Sequence, residues 1–277
     1  MCKSIKLFFI KLFCFTLLLS LHAQVQANFS LSGVIEQGGL IVGKTSPGSK
    51  VTLNEQLLKV SSQGDFVFGF GRDDTRSYLL TVVDTNGTTS SKKLTPSTRQ
   101  YKIERVEGIS QKIMKPNVKN IERAQKDRLQ VKKARSITSD LTDFSTGFTA
   151  PRNSKITGVY GSQRFYNGKP KSPHYGVDYR GKVGAPVFAP SGGIVTLWQP
   201  NMFYSGGTLM IDHGFGVNST FLHLSQSHVK VGQRIEKGQL IAAVGKSGRA
   251  SGPHLDWRVN WFNIRTDPIH VLELQPL

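Results

Sequence analysis

The chain has 277 residues, with 36 Lys+Arg against 18 Asp+Glu, two cysteines and 38% hydrophobic residues. That is enough apolar material for one or two ordinary cores, which excludes a disordered tail, and two cysteines do not make a disulfide-stapled miniprotein. The formal charge of +18 suits a partner of opposite sign, whether nucleic acid, an anionic membrane or an acidic polymer, and does not choose among them.

Lys3, Lys6 and Lys11 precede an apolar run from Leu12 to Leu21 that small residues follow. These are the three parts of a secretory signal peptide over 1–27, with cleavage expected after Ala27 and Ala23 as the other site. A permanent anchor is the competing reading, but the run is well short of the roughly 20 residues a span needs. Cleavage removes three lysines and both cysteines, Cys2 and Cys14, and leaves 33 basic and 18 acidic residues, a charge of +15. Such an exported chain has no thiol chemistry, is held by its cores or by a metal, and is a poor fit to nucleic acid.

From 28 to 107 the sequence alternates with a period of about two, as in Leu31 to Ile35, Ser49 to Leu53, Phe66 to Phe70 and Ser77 to Asp84, with Asn, Gly, Pro and Asp between the runs. This predicts a small antiparallel β-sandwich, read as a binding or packing module. The stretch 108–142 is a basic connector: nine basic and two acidic residues lie between Ser110 and Arg135. Pro116, followed by good helix formers, predicts a helix from about Asn117 to Ala134. From 143 to 277 glycine becomes dense, with 17 of the 28 glycines between Gly158 and Gly252, and the runs between them are short and β-like. The fold class is therefore all-β, with a second β domain at the C-terminal end that also holds six of the seven histidines.

Candidate chemistry lies in that second domain. In Pro173-His174-Tyr175-Gly176-Val177-Asp178 an imidazole and a carboxylate stand four apart, so on a strand they share a face, and Gly176 keeps that face open. In Gly252-Pro253-His254-Leu255-Asp256-Trp257, His254 and Asp256 share one face while Leu255 and Trp257 point to a core. In Thr220 to Ser225, His223 is expected in line with Phe221. Three strands that each offer nitrogen or oxygen ligands form a pattern that zinc enzymes use, and that structural zinc sites rarely use without cysteine.

These segments, with the Ile211-Asp212-His213-Gly214 turn, the hairpin Val229 to Gln239 and the run Gly245 to Trp257, occur in the order seen in the lysostaphin-type (LytM-domain) zinc metallopeptidases. The resemblance covers roughly Thr157 to Asp267. It implies a lysostaphin-type β domain, one Zn2+ or another divalent ion, and peptidoglycan as substrate, outside the cytoplasm in the periplasm or cell envelope. His174 and Asp178 match the first two zinc ligands, His223 and His254 match the two histidines beside the scissile carbonyl, and Asp256 falls where the family usually has a third histidine ligand. His213 matches a turn residue, while His228 and His270 look like surface or packing histidines. Tyr160, Arg164 and Tyr204 are candidates for lining the groove, each with a packing role as the plainer alternative.

A carboxylate at Asp256 is a competent ligand, but two carboxylates leave a dication with a formal charge near zero rather than +1, which weakens its pull on bound water. The expectation is a site that binds metal with lower Lewis acidity or another metal preference. The alternative is a degenerate homologue that binds the wall or activates other wall enzymes. A biotinyl or lipoyl carrier is disfavoured, because Val229 to Val244 has no acceptor lysine at a hairpin tip between acidic or methionine neighbours. In related enzymes the groove can be covered by the upstream part of the chain with an asparagine as a blocking ligand. Asn117, Asn120 and Asn153 are the residues within reach, and a monomer is assumed.

Overall fold

The computed structural model describes residues 28–108 and 117–277. The expected signal peptide and the first part of the connector lie outside the described residues. No described helix is long and apolar enough to cross a membrane.

In chain order the elements are β1 (Phe29–Ser32), β2 (Leu40–Thr45), β3 (Lys50–Leu53), β4 (Gln56–Leu58), β5 (Asp65–Gly69), β6 (Tyr78–Val83), β7 (Thr89–Leu94) and β8 (Ile103–Val106), then α1 (Val118–Arg135). A 3-10 turn, Asp143–Thr146, leads to β9 (Ile156–Gly158), β10 (Gln163–Tyr166), β11 (Lys169–Pro170), β12 (Val177–Arg180), β13 (Pro186–Phe188) and β14 (Gly193–Met202). The chain ends with β15 (Gly206–Gly214), β16 (Val217–Ser227), β17 (Arg234–Ile235), β18 (Leu240–Val244), β19 (His254–Trp261), β20 (Ile264–Thr266) and α2 (Pro268–Leu272).

The N-terminal strands form two antiparallel sheets, β1-β2-β5 and β4-β3-β6-β7. Alternation puts Val51, Leu53, Leu80 and Val82 inward, and Phe66, Phe68 and Phe70 fill the centre with rings 6.4 and 5.8 Å apart in sequence. The expected all-β class is what the chain adopts, and the one long helix among the described residues lies within the basic connector, at Val118–Arg135. Asn117 caps that helix, accepting from the Asn120 amide at 2.9 Å, while Lys132, Lys133 and Arg135 stand in its last turn, where the helix dipole favours cations.

The C-terminal domain is a ten-stranded sheet along β17-β14-β15-β16-β19-β12-β9, with β18 on β16, β13 on β18 and β20 on β19. Trp257, Phe221, Val177 and Leu255 form its core. Strand β8 pairs in parallel with β10, so the N-terminal part is joined to this domain by backbone hydrogen bonds. Arg99 adds an ion pair with Asp267 at 2.7 Å, and Tyr101 packs on Tyr160 with rings 6.3 Å apart. Gly161 is required at that seam: its φ is +81°, and a Cβ there would lie 2.0 Å from the Tyr101 ring.

One polar cluster holds the loop before β6. The buried Asp74 carboxylate accepts from Arg76 Nε at 3.0 Å and Nη2 at 2.9 Å, and from the Tyr78 hydroxyl. Burial acts to raise the Asp74 pKa, but these donors outweigh it and hold the group below the ordinary carboxylate value. Because the folded pKa is depressed, the contribution to stability is complete above the unfolded value and is lost as pH falls through the folded one. Asp74→Asn is expected to cost about 1–3 kcal/mol at neutral pH. Its deficit relative to wild type should shrink as pH drops below about 4, as read by denaturant unfolding at several pH values.

Candidate metal centre and groove

The register of β12 against β19 sets the site: Val177 faces Trp257, Asp178 faces Asp256 and Tyr179 faces Leu255. Val177 and Trp257 go to the core, which leaves the two carboxylates directly opposite each other on the other face. Two glycines make room for them. A Cβ on Gly158 would lie 2.2 Å from Asp178 Oδ2, and one on Gly176 would lie 2.4 Å from Asp256 Oδ1.

His174 lies ahead of β12 rather than on it, so the shared strand face expected for His174 and Asp178 is not how they meet. The loop returns the ring to the carboxylates, with Nε2 at 3.1 Å from Asp178 Oδ1 and 3.5 Å from Asp256 Oδ2. His223 also departs from simple alternation. Leu224 pairs with Gly207 and Phe221 with Leu209, so two residues of β16 bulge opposite Thr208, and His223 takes a φ of +63°. Phe221 and Leu224 stay in the core, whereas Leu222 and His223 both face the groove. The bulge turns His223 onto the carboxylate side, away from Phe221.

Each of the three imidazoles is oriented by a backbone carbonyl on its Nδ1: His174 by Val159 at 3.2 Å, His223 by Ser247 at 2.9 Å and His254 by Gly252 at 2.9 Å. A carbonyl only accepts, so Nδ1 carries a proton in all three and Nε2 is the nitrogen turned away from the backbone. The rings of His223 and His254 are 4.7 Å apart, and His254 Nε2 is 3.8 Å from Asp178 Oδ1. Burial pushes the His223 pKa below its ordinary value, so this ring is neutral at pH 7.

The donor atoms of His174, Asp178 and Asp256 all lie within 4.8 Å of one another. Ligands at about 2.1 Å from a tetrahedral ion stand about 3.4 Å apart, close to the two His174 separations. Asp178 Oδ1 is buried and makes no hydrogen bond, with His174 Nε2 in ion-pair range at 3.1 Å. Burial acts to lower the His174 pKa, but the adjoining Asp178 and Asp256 carboxylates overcome it and push the pKa up to about 10. The carboxylate pair thus favours positive charge at the point where the Nε2 atom sits, and the donor set fits a divalent cation.

Arg258 is the site residue that the sequence reading passed over. It shares the strand face of His254 and Asp256, two positions on, and donates from Nε to both Asp256 oxygens at 3.0 and 3.1 Å and from Nη2 at 2.5 Å. Burial would raise the Asp256 pKa, but Arg258 and His174 hold it well below the usual carboxylate range. The i, i+2, i+4 spacing of His254, Asp256 and Arg258 was the available signal.

The remaining candidates separate. Tyr160 is buried, donates to the Arg265 carbonyl at 2.8 Å and packs between the Tyr101 and Tyr175 rings, which is a packing position rather than a groove position. Arg164 sits on β10, paired with Glu104 at 2.9 Å. Tyr204 does line the groove. His213 is enclosed between the Gly192 carbonyl and the Ser219 hydroxyl. Helix α1 roofs the groove, held by Arg123 to the Asn201 carbonyl and by the Phe203 amide to Asp127, each at 2.7 Å. Between helix and sheet is a cavity of about 660 Å³ that reaches His223.

Residues 172–268 match the sequence pattern of Peptidase family M23. Peptidoglycan DD-endopeptidase ShyA of Vibrio cholerae serotype O1 is 34% identical over 102 residues, which is 37% of this chain and 23% of its own length. ShyB of the same organism is 34% identical over 130 residues, or 47% and 27%. The chain thus spans about a quarter of the length of these curated relatives. A Pseudomonas aeruginosa crystal structure described as a candidate M23 peptidase aligns with a TM-score of 0.62 at 22% identity, over 90% of this chain and 95% of that one. That likeness shows a shared fold for nearly the whole chain, N-terminal strands included. Residues 172–268, which carry the facing carboxylates and the three oriented histidines, are thus the part of the chain that matches peptidase family M23.

Proposed function

We propose that this protein is an exported, zinc-dependent endopeptidase that hydrolyses amide bonds in the peptide stems or crosslinks of peptidoglycan, acting in the periplasm or cell envelope. One observation carries the reading: three imidazoles, each with Nδ1 tied to a backbone carbonyl, present Nε2 beside two facing carboxylates. His174, Asp178 and Asp256 would hold the ion. A divalent ion there supplies Lewis-acid polarisation of an amide carbonyl and activation of water.

Two side chains remain for proton traffic. The His223 and His254 rings, 4.7 Å apart, serve as the general base and as the donor to the developing oxyanion, in either order. The bulge and the left-handed backbone at His223 supply its aim, so positioning is built in before substrate arrives.

Arg258 answers the charge deficit that the sequence raised. A dication with Asp178, Asp256 and the Arg258 guanidinium sums to +1, the value of a site with one carboxylate and two histidines. Arg258 also supports the second reading, a wall-binding or hydrolase-activating homologue, because its fork occupies lone pairs of Asp256 that a metal would share.

Metal content and peptidoglycan digestion together decide between the two. The purified full chain is expected to take up about one zinc per molecule and release soluble fragments from peptidoglycan, and His254→Ala is expected to lose digestion by at least about 100-fold while keeping the metal. A folded chain that takes up no zinc, manganese or cobalt would establish the non-catalytic reading. Asp256→His, which restores the family ligand type, is expected to weaken zinc binding rather than strengthen it, because it strips the counter-charge from Arg258 beside a dication. Equilibrium competition with a chromogenic chelator measures that change. Gly158→Ala should fold but lose metal affinity by about 10-fold or more, since its methyl displaces the Asp178 carboxylate.

A further inference from the structure

The cavity under α1 has an unbalanced charge that the proposed catalysis does not use. Its lining includes Arg128, Lys132, Arg135, Arg249 and Arg265, with Asp127 as the one acidic side chain, and Asp127 already accepts the Phe203 amide. Arg258 also borders it but is taken up by Asp256. Arg135 Nε is buried and has no hydrogen-bond partner, and no described carboxylate pairs with Arg135 or Arg265. Arg265 reaches Asn260 Oδ1 only at 3.4 Å. The Thr220 hydroxyl lines the same cavity, is 4% exposed as a residue, and has no partner either.

Half-buried guanidinium groups that repel one another without a counter-charge are costly, and buried polar groups are normally satisfied. Here burial, then Arg135 and Arg258, push the Arg265 pKa down to about 9. The unpartnered Arg135 Nε and Thr220 hydroxyl, with Arg265 held only by Asn260 and over the Tyr175 ring, therefore line one cavity where an anion would meet two planar forks and a hydroxyl. The volume of about 660 Å³ is that of a site for a small ligand or a few residues of peptide, and it opens directly to His223.

We propose that this cavity is a carboxylate-binding subsite, in which Arg135, Arg265 and Thr220 hold a free carboxylate of the peptide whose amide lies at His223 and His254. The identity of the ligand as a peptide rests on the hydrolase reading, while the anion site itself does not. The substrate class sharpens accordingly, to a peptide that carries a free carboxylate within a few residues of the bond addressed.

The test uses the full chain carrying His254→Ala, so that the probe is not consumed. Acetyl-Ala-Ala-Ala with a free C-terminal carboxylate, and the same peptide as its C-terminal amide, are titrated by calorimetry. The acid is expected to bind about 10-fold more tightly than the amide, the worth of one charged hydrogen-bonded contact. Adding Arg265→Gln or Arg135→Gln should reduce that ratio to about 2-fold or less. Arg265→Gln also relieves repulsion, so its melting temperature should match or exceed that of its parent. Equal binding of acid and amide, or a ratio that survives both substitutions, overturns the subsite. An active wild type whose His254→Ala form binds acid and amide alike loses only the subsite. A chain that digests nothing but keeps an arginine-dependent preference for the acid loses only the hydrolase.

Discussion

Two carboxylates set face to face across a strand pair constrain everything around them. Like charges opposite one another in an antiparallel ladder are destabilising, and of this facing pair Asp256 is buried and Asp178 half-buried. The fold answers with cations on both sides: His174 from the loop before β12 and Arg258 from β19 itself. With His174 protonated and Arg258 charged, the four side chains balance without any ion. A divalent metal that displaces the His174 proton changes the cluster by only one unit of charge, which makes the cluster able to stand both loaded and empty.

Strand geometry explains why His223 comes from irregular backbone. A regular β16 would send His223 into the core beside Phe221, where an imidazole has no partner. The extra residue opposite Thr208 and the left-handed φ at His223 reverse that direction, and the Ser205 carbonyl accepts the His223 amide at 2.8 Å to hold the bend. The glycines at 158 and 176 do related work by absence, since any side chain there would occupy the carboxylate positions. The regular pairing of β12 with β19 sets the two carboxylates, and the departures from regularity bring His174 and His223 to them.

The alternating runs and the capped basic helix were legible in the sequence because period-two patterning and helix-start signals are local. The spacing of His174 and Asp178, and of His254 and Asp256, was also visible, although His174 reaches its partner from a loop. The pairing of Asp256 with Arg258 was not legible, even though both stand on one strand face, because an arginine two residues from a carboxylate can equally turn its long side chain to solvent. The bulge at His223 was not readable at all. It depends on register with β15 and on the Ser205 and Ser247 carbonyls, which are contacts between distant parts of the chain. The burial of Tyr160 belongs to the same class, since it follows from Tyr101 in the N-terminal part.

The net charge of +18 first suggests diffuse attraction to a polyanion, and the structure gives part of it a direction. At the facing carboxylates the charge is balanced locally. One step along the sheet face Arg258 is balanced by Asp256, and beyond it Arg265 and Arg135 have no carboxylate opposite. Cationic side chains without a paired carboxylate therefore lie on the side of the groove toward the roof formed by α1. A ligand with an amide at one end and a carboxylate at the other is favoured in one orientation by that asymmetry, whereas a uniform basic surface favours neither. The helix that closes the groove thus also completes its polarity, because Arg128, Lys132 and Arg135 all come from α1.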